Sequence, residues 1–583
     1  AMPLSQKRLL FNETHTASAN RLYRLDEEKQ LRFQLGYIHD RTTRQYGSEE
    51  IYYFVQDTVH TATNRHDRLK TDCLNAEVNY EDNTVSRYTR ENFSFAGTWK
   101  SGVSDITGDN AIFQKIKNSQ WELKNHFNQL YTKEKYTWGI RLYIRYTHCP
   151  ASLTVAHRNL PILFADNMLI ANCIYHRNEL SSPDNISENT YRTVIGQTHE
   201  SILAEYEEMN TGNAYTDNVL YGMRKINGVN YQLTGGFCGE LSSVKQENAY
   251  SAHSYSFYTV PRIEWERNDF LFTAATTVRW SHLPKQSYSR FCVSPFFCFR
   301  YKFTPRWKMS LLGSLDESEG GLKDIYPFRY REDYRTVVKH TGKVPVTVRQ
   351  LYTCYLEYKN TIKEFFWTLS ASYSHNRYNL ITERNYKDGN FYLSSVERNH
   401  SSHSYTLNTI GSKGIYDWNL KTSLELTLAR NEGKQLNEGI VQDYRYDYLC
   451  IEPKIVWAPS VFFEAEYKAT VSCVGGGIGE DTSLDPLWEV AQRLTLSLEF
   501  HDTEFRLSGE HFYNDLSKNQ HLNIWLADVS LIHKVGKWRF AASAINLFNK
   551  EQYRYTLYSA VQSYTSWIKL RPREFMVSVQ YQW

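Results

Sequence analysis

Along most of this chain, apolar and polar residues alternate with a period of two. In "LRFQLGY", Leu31, Phe33, Leu35 and Tyr37 interleave with Arg32 and Gln34. In "WGIRLYIRYTH", Ile140, Leu142, Ile144 and Tyr146 stand against Arg141 and Arg145. "WNLKTSLELTL" sets Leu420, Leu424, Leu426 and Leu428 against Lys421, Ser423 and Glu425. Successive side chains of a strand point to opposite faces, so each stretch predicts a strand with one apolar and one wet face. "RLTLSLEFHDTEFRLSGEHF" predicts a whole hairpin: Leu494, Leu496, Leu498 and Phe500 run in, and Phe505 and Leu507 run back. Its other face carries Arg493, Glu499, Glu504, Arg506 and Glu510. The chain ends in the same manner, on "REFMVSVQYQW", with Phe575, Val577, Val579, Tyr581 and Trp583 on one side.

The connections alternate as well. Short turns are expected at 26–29, 267–269, 304–306, 360–363, 458–460, 501–503 and 535–537. Longer polar connections are expected at about 47–68, 157–212, 316–345, 383–400 and 549–566. Short turns at one end and long loops at the other are the asymmetry of an outer-membrane barrel. About 23 strand-like segments can be marked. A barrel with both termini on one side needs an even number, so about 22 strands in the wall is the natural reading. The fold class expected is therefore all-β, a transmembrane antiparallel barrel spanning 14–583, with 1–13 as a lead-in.

Composition sharpens this picture. Aromatics make up 15%, with 44 Tyr and 14 Trp among 583 residues, more than a soluble core needs and suited to interfacial girdles. Mean hydropathy is −0.57, as expected when half of every strand is wet. No apolar run reaches the roughly 18–20 residues of a membrane helix, and the opening "AMPLSQKRLLFNETHTAS" is no secretory leader. A net charge of +3 with scattered Lys and Arg does not point to nucleic acid. Nine cysteines without a CxxC suggest neither a zinc site nor a disulfide framework, and most read as small hydrophobes.

The C-terminal residues carry a family resemblance. "ASAINLFNKEQYRY" (541–555) followed by "LRPREFMVSVQYQW" (570–583) resembles the ending of TonB-dependent outer-membrane receptors. There, a penultimate strand closes on Asn-Leu-Phe-Asn (here 546–549), and a last strand follows a Pro-Arg step (Pro572, Arg573) to a terminal aromatic. Trp583 departs from the commoner Phe. The opening "LLFNETHTASANRLYRLDEEKQLRFQLGYIHDR" is similar to the Bacteroidota branch of the family. The resemblance implies import of a scarce nutrient (an iron chelate, cobalamin, a glycan or a peptide) energised through TonB. It also implies a plug domain, which alternation from about residue 14 leaves no room for in this chain. The plug is expected from an upstream part of the gene or from a separate chain. The resemblance further implies that Tyr581 and Trp583 are an assembly signal, with Trp583 at the periplasmic lipid interface.

Candidate chemistry is sparse. "HSSH" (His400 to His403) is expected in a loop, without the partners a metal needs. "VGGGIGED" (474–481) lacks the third glycine of a dinucleotide loop and reads as a hairpin loop. No GxSxG or HExxH motif is present, so no bond chemistry, cofactor or metal is expected. The lumen wall is expected to include Arg141, Arg145, Glu425, Arg493, Glu499, Arg506 and Glu510. "ESEGGLKDIYPFRYREDYR" (317–335) offers Tyr326, Phe328, Arg329, Tyr330 and Arg331 as external-loop ligand contacts, against the simpler reading of a solvated loop. A non-transporting barrel serving a surface lipoprotein or secretion complex, and a passive porin, fit the same wall.

Overall fold

A computed structural model describes residues 11–582, apart from 54–57, 109–110, 134–135, 158–189, 195–200, 388, 480–481, 518–519 and 559–561. Its strands form one 28-stranded sheet. Five are short and lie in connections: Thr190–Val194, Tyr330–Arg331, Thr336–Lys339, Gln552–Tyr558 and Gln562–Lys569. The other 23 form a wall in which each strand pairs antiparallel with the next in the chain, from Phe11–Arg24 to Glu574–Tyr581. The outer end of the wall is joined into a ring. Gln562–Lys569 lies against residues 46–52 of the second strand, Lys29–Tyr53, while its partner Gln552–Tyr558 hydrogen-bonds to Thr503–Ser517.

The sheet is inside out by the standard of a soluble protein. Leu220 is 60% exposed and Phe291 64%, and Leu35, Ile144, Phe257, Leu424, Leu494 and Leu498 are exposed beside them. Inward-facing neighbours are the buried ones. Phe512, Ile524 and Leu526 are covered by Tyr553 and Leu570, while Trp525, between Ile524 and Leu526, faces out. Tryptophans bound the exposed apolar band. Trp138, Trp265, Trp418, Trp457 and Trp538 are exposed close to the short turns, and Trp99, Trp280, Trp488 and Trp525 lie further along. Trp538 pairs with Val535, ten residues from Trp525, and Trp265 pairs with Phe272, eight from Trp280. A tilted membrane strand needs about 9–11 residues. The band is therefore one bilayer thick, and its aromatic edges sit where interfacial rings are favoured.

The short turns follow from local chemistry. Asp26 Oδ1 accepts the backbone N–H groups of Glu28 and Lys29 at 2.9 and 2.7 Å, closing the first turn. Asn227 and Gly228 both take positive φ, as a two-residue hairpin turn requires.

The outer end differs from expectation in several places, and the connection expected at 549–566 holds the paired strands Gln552–Tyr558 and Gln562–Lys569. Residues 47–53 and 58–68 are not loop but the tips of the 25- and 26-residue strands Lys29–Tyr53 and Thr58–Asn83. The stretch 383–400 is also largely strand, 383–387 ending Phe365–Lys387 and 390–400 opening Asn390–Ile415, so His400 and His403 sit in a strand rather than in a loop. His403 faces His375 across the pair, with ring centroids 4.5 Å apart. Gly475 to Gly477 likewise belong to Phe463–Ile478, at a register shift. In each case cross-strand pairing carries a polar sequence into solvent as sheet. Most of the expected connection 157–212 lies outside the described residues, although its end is strand Ser201–Ile226.

Candidate functional site: a strap across the barrel mouth

One connection does not stay at the rim. Between Trp307–Glu319 and Val346–Asn360, residues 320–345 leave the wall and return beside their own exit, where Gly320 N–H donates to Pro345 O at 2.7 Å. The first turn is a short 3-10 segment, Leu322–Ile325, steadied by Asp324 Oδ2 accepting from Gly321 N–H at 2.8 Å. Ile325 and Tyr326 then bury against Tyr250, Ala252 and Leu283 with Val344, and Phe328 and Tyr330 pack on that cluster. The Tyr326 hydroxyl donates to Gln246 Oε1 at 2.9 Å, and burial raises its pKa. The Arg331 N–H donates to the Glu207 carboxylate at 2.9 Å, and Arg331 Nη1 donates to Tyr334 O at 2.9 Å and Asn390 Oδ1 at 3.2 Å.

The tip makes the contacts that define this element. Asp333 Oδ1 accepts from the N–H groups of Arg335 and Thr336 at 2.8 and 2.7 Å, turning the chain. The turn aims Arg335 at the second and third strands of the wall. Its guanidinium donates to Glu50 Oε2 at 2.6 Å, Thr61 Oγ1 at 3.0 Å and the Tyr52 hydroxyl at 3.4 Å, and lies 5.4 Å from the Phe391 ring centre. Burial opposes the charge of Arg335, but Tyr334, Glu50, Tyr52 and Asp333 together outweigh it, so the pKa is raised and the group stays cationic. Tyr334 packs beside Ile106, Ile112 and Val155, with the Arg65 guanidinium 5.4 Å from its ring centre. Thr336–Lys339 then adds in parallel to residues 391–394.

Glu50 and Thr61 lie on the second and third of the 23 wall strands, whereas the strap is rooted between the twelfth and thirteenth. Ten places around a ring of this size is nearly the opposite side. The strap therefore crosses the mouth of the lumen. Two more cationic groups flank the anchored tip: Arg65, and Arg384, whose Nη1 is buried and makes no hydrogen bond within the protein.

Of the loop residues singled out in the sequence, Tyr326 and Arg331 fasten the strap. Phe328 and Tyr330 are part of its packing, and Arg329 stacks 5.4 Å from the Tyr392 ring centre. Arg335 and Glu50 escaped sequence reading. Arg335 ends the stretch 317–335 without being singled out in it, Glu50 stands in no motif, and the two are 285 residues apart.

The charged wall residues lie on the face opposite the exposed leucines. Arg141 reaches Asp217 at 3.5 Å, and Arg145 reaches Asn213 at 3.4 Å while stacking on Tyr215. Glu425 accepts from Asn408 at 2.8 Å. Arg493 Nε donates to Glu510 at 2.8 Å, and Arg506 pairs with Glu504 at 2.8 Å. Glu499 lies opposite Glu504 in the register. Apart from the Arg493–Glu510 pair, these groups are spread around the wall and do not gather at the strap. Tyr581 packs on Trp538 with ring centroids 4.8 Å apart, whereas Trp583 lies outside the described residues.

No protein-family model matches this chain, and no curated protein matches its sequence. Solved structures do match in arrangement. The outer membrane transporter YddB of Escherichia coli is 10% identical, with 97% of this chain and 76% of that one covered, at a TM-score of 0.49. The ferric enterobactin receptor of Pseudomonas aeruginosa is 10% identical over 96% and 80% of the two chains, at 0.46. The ferric yersiniabactin uptake receptor of Yersinia pestis is 9% identical over 99% and 81%, at 0.44. At TM-scores below 0.5 these likenesses add no weight. The antiparallel barrel stands on its own strand pairing and on its exposed apolar band.

Proposed function

We propose that this chain is the barrel of an outer-membrane receptor that imports a scarce nutrient and is not an enzyme. The observation that carries the reading is the strap. A passive porin needs an aqueous lumen open at both ends, yet residues 320–345 cross the outer mouth and are tied to the far wall by Arg335 and Glu50. A bar whose tip is fastened by a buried charged group beside an aromatic cluster suits a gate that ligand binding releases. The class of ligand is a chelate, cobalamin, glycan or peptide. The arginines at the tip, Arg65, Arg335 and Arg384, favour a member carrying an anionic group. Energy comes through TonB acting on a plug domain, in the same gene product or in a separate chain. The charged inner wall supplies a polar path past it.

The test is uptake. Cells expressing the protein are grown on a panel of ferric chelates, cobalamin, glycans and peptides, each as the limiting nutrient. Growth on at least one is expected to require both this protein and TonB. Uptake that survives removal of TonB returns the reading to a porin.

A further inference from the structure

The seam of the wall, between the first strand and the last, is not closed by hydrogen bonds. Glu574–Tyr581 pairs with Trp538–Ile545 on one side, and among the described residues its other edge pairs with no strand. Phe575 and Val577 are 77% and 81% exposed. The first strand, Phe11–Arg24, instead covers residues 30–43 of the second strand, and nearly every residue of it is exposed. Parity forbids an antiparallel junction between first and last. With 23 strands alternating in direction, both run from the outer end toward the short turns. The second strand runs the other way, and from it to the last there are 22.

Composition identifies which strand belongs beside the second in a membrane. The outward row of the second strand is Leu31, Phe33, Leu35 and Tyr37. Opposite it the first strand places Tyr23, Arg21, Ala19 and Ala17, with His15 and Glu13 continuing the row. That row has one ring, two methyl groups and three ionisable side chains, a poor face for lipid. The last strand offers Phe575, Val577, Val579 and Tyr581. The approach is already begun. Gln562–Lys569, just upstream of the last strand, pairs with the second strand with Tyr46 opposite Ile568 and Tyr52 opposite Gln562. Continuing that register brings Val577 opposite Tyr37, Val579 opposite Leu35 and Tyr581 opposite Phe33, so the apolar rows coincide.

We propose that the partner for the free edge of the last strand is the lower edge of the second, and that the first strand is a displaceable guard over that edge. In the membrane the last strand replaces it and closes a 22-stranded wall comprising Lys29–Tyr53 to Glu574–Tyr581. Before insertion, the guard blocks an edge that would otherwise pair with another chain. The inference rests on the barrel being a membrane barrel, so the experiment reads membrane assembly and strand pairing separately.

The full chain is expressed in an outer membrane with its nine native cysteines replaced by serine. Tyr37→Cys is combined with Val577→Cys, or with Ala17→Cys, and a third pair joins Ala17→Cys to Val577→Cys. Heat-modifiable migration of the membrane fraction scores assembly for each. In assembled protein the Tyr37→Cys/Val577→Cys pair is expected to give the dominant disulfide, at least tenfold over the other two. Dominance of Tyr37→Cys/Ala17→Cys shows that the guard stays in place, and dominance of Ala17→Cys/Val577→Cys shows a parallel seam. Either result overturns the proposal while leaving the membrane reading intact. Deleting residues 1–24 is a second check, expected to leave assembly at wild-type level. Loss of assembly on that deletion makes the first strand part of the wall and overturns the proposal as well. Absence of the protein from the membrane fraction in every variant defeats the membrane reading instead.

Discussion

Two segments turn inward from the wall, and they do so by different means. The strap, 320–345, and the segment 546–573 both leave at the outer end and bury apolar side chains inside the ring. Segment 546–573 stays with its neighbours. Asn546 Nδ2 donates to Lys550 O at 2.9 Å and Arg571 O at 2.7 Å, and Tyr553, fully buried, covers Phe512 and Ile524 on adjacent strands. Its contacts, apolar and hydrogen-bonded, are many and lie along neighbouring strands, and it joins the ring to the second strand. The strap tip is held mainly by the buried Arg335 guanidinium, which reaches Glu50, Thr61 and Tyr52, with Tyr334 packed beside Ile106, Ile112 and Val155. A segment paired to the wall along its length moves only when the wall does, whereas a bar whose tip depends on a buried charge can let go when that charge finds another partner. The difference separates a structural seal from a gate.

The apolar seal is tested most directly at Tyr553. Tyr553→Ala removes a fully buried ring, at a cost of about 3–5 kcal/mol. The fraction of heat-modifiable barrel in membranes is expected to fall with no selective effect on the mouth. Arg335→Ala strips a largely buried pair of one partner, which costs a comparable ~3–5 kcal/mol. Here the loss is expected in the strap alone. Single-barrel conductance in planar bilayers rises severalfold while heat-modifiability is unchanged. Should Arg335→Ala lower barrel yield as Tyr553→Ala does, the strap is a seal of the same kind and not a gate.

The wall both segments share is tested by Leu496→Arg. An arginine on the outward face at mid-depth is expected to cost about 2–4 kcal/mol of barrel stability, read by urea titration in lipid, whereas Ser497→Arg on the inward face costs little. The smallest effect is that of pH. His340, in the returning limb of the strap, contacts Ser395 Oγ at 3.2 Å and faces Tyr330 and Asp324. Burial holds its pKa below the ordinary 6.5, against a weaker upward pull from Asp324. The closed strap thus prefers the neutral ring. This contribution is full above 6.5 and is lost as pH falls through that value toward the lower one of the closed state. Conductance should rise modestly on acidification, and His340→Gln should flatten the dependence.

Alternation was legible in the sequence wherever a strand crosses the lipid band. That Leu494, Leu496 and Leu498 share one face while Arg493 and Glu510 share the other follows from a period of two and needs no partner. It failed outside the band. Beyond the bilayer neither face must be apolar, so His400 to His403 read as loop although backbone pairing makes them strand. The odd number of segments also held a clue to the seam, since parity is a property of the count.

An antiparallel wall, the alternation of faces along its strands, and short turns such as 26–29 and 501–503 follow from the sequence by itself, because each depends on neighbours a few residues away. The turn expected at 458–460 falls at 461–462, beyond the end of Ile440–Ser460. Only the tertiary structure decided that 320–345 spans the mouth, that Arg335 meets Glu50, and that the first strand occupies the edge the last one matches. Those choices depend on which parts of a ring come to lie opposite or beside one another. Curvature and closure of the whole sheet set that geometry, and no local pattern encodes it.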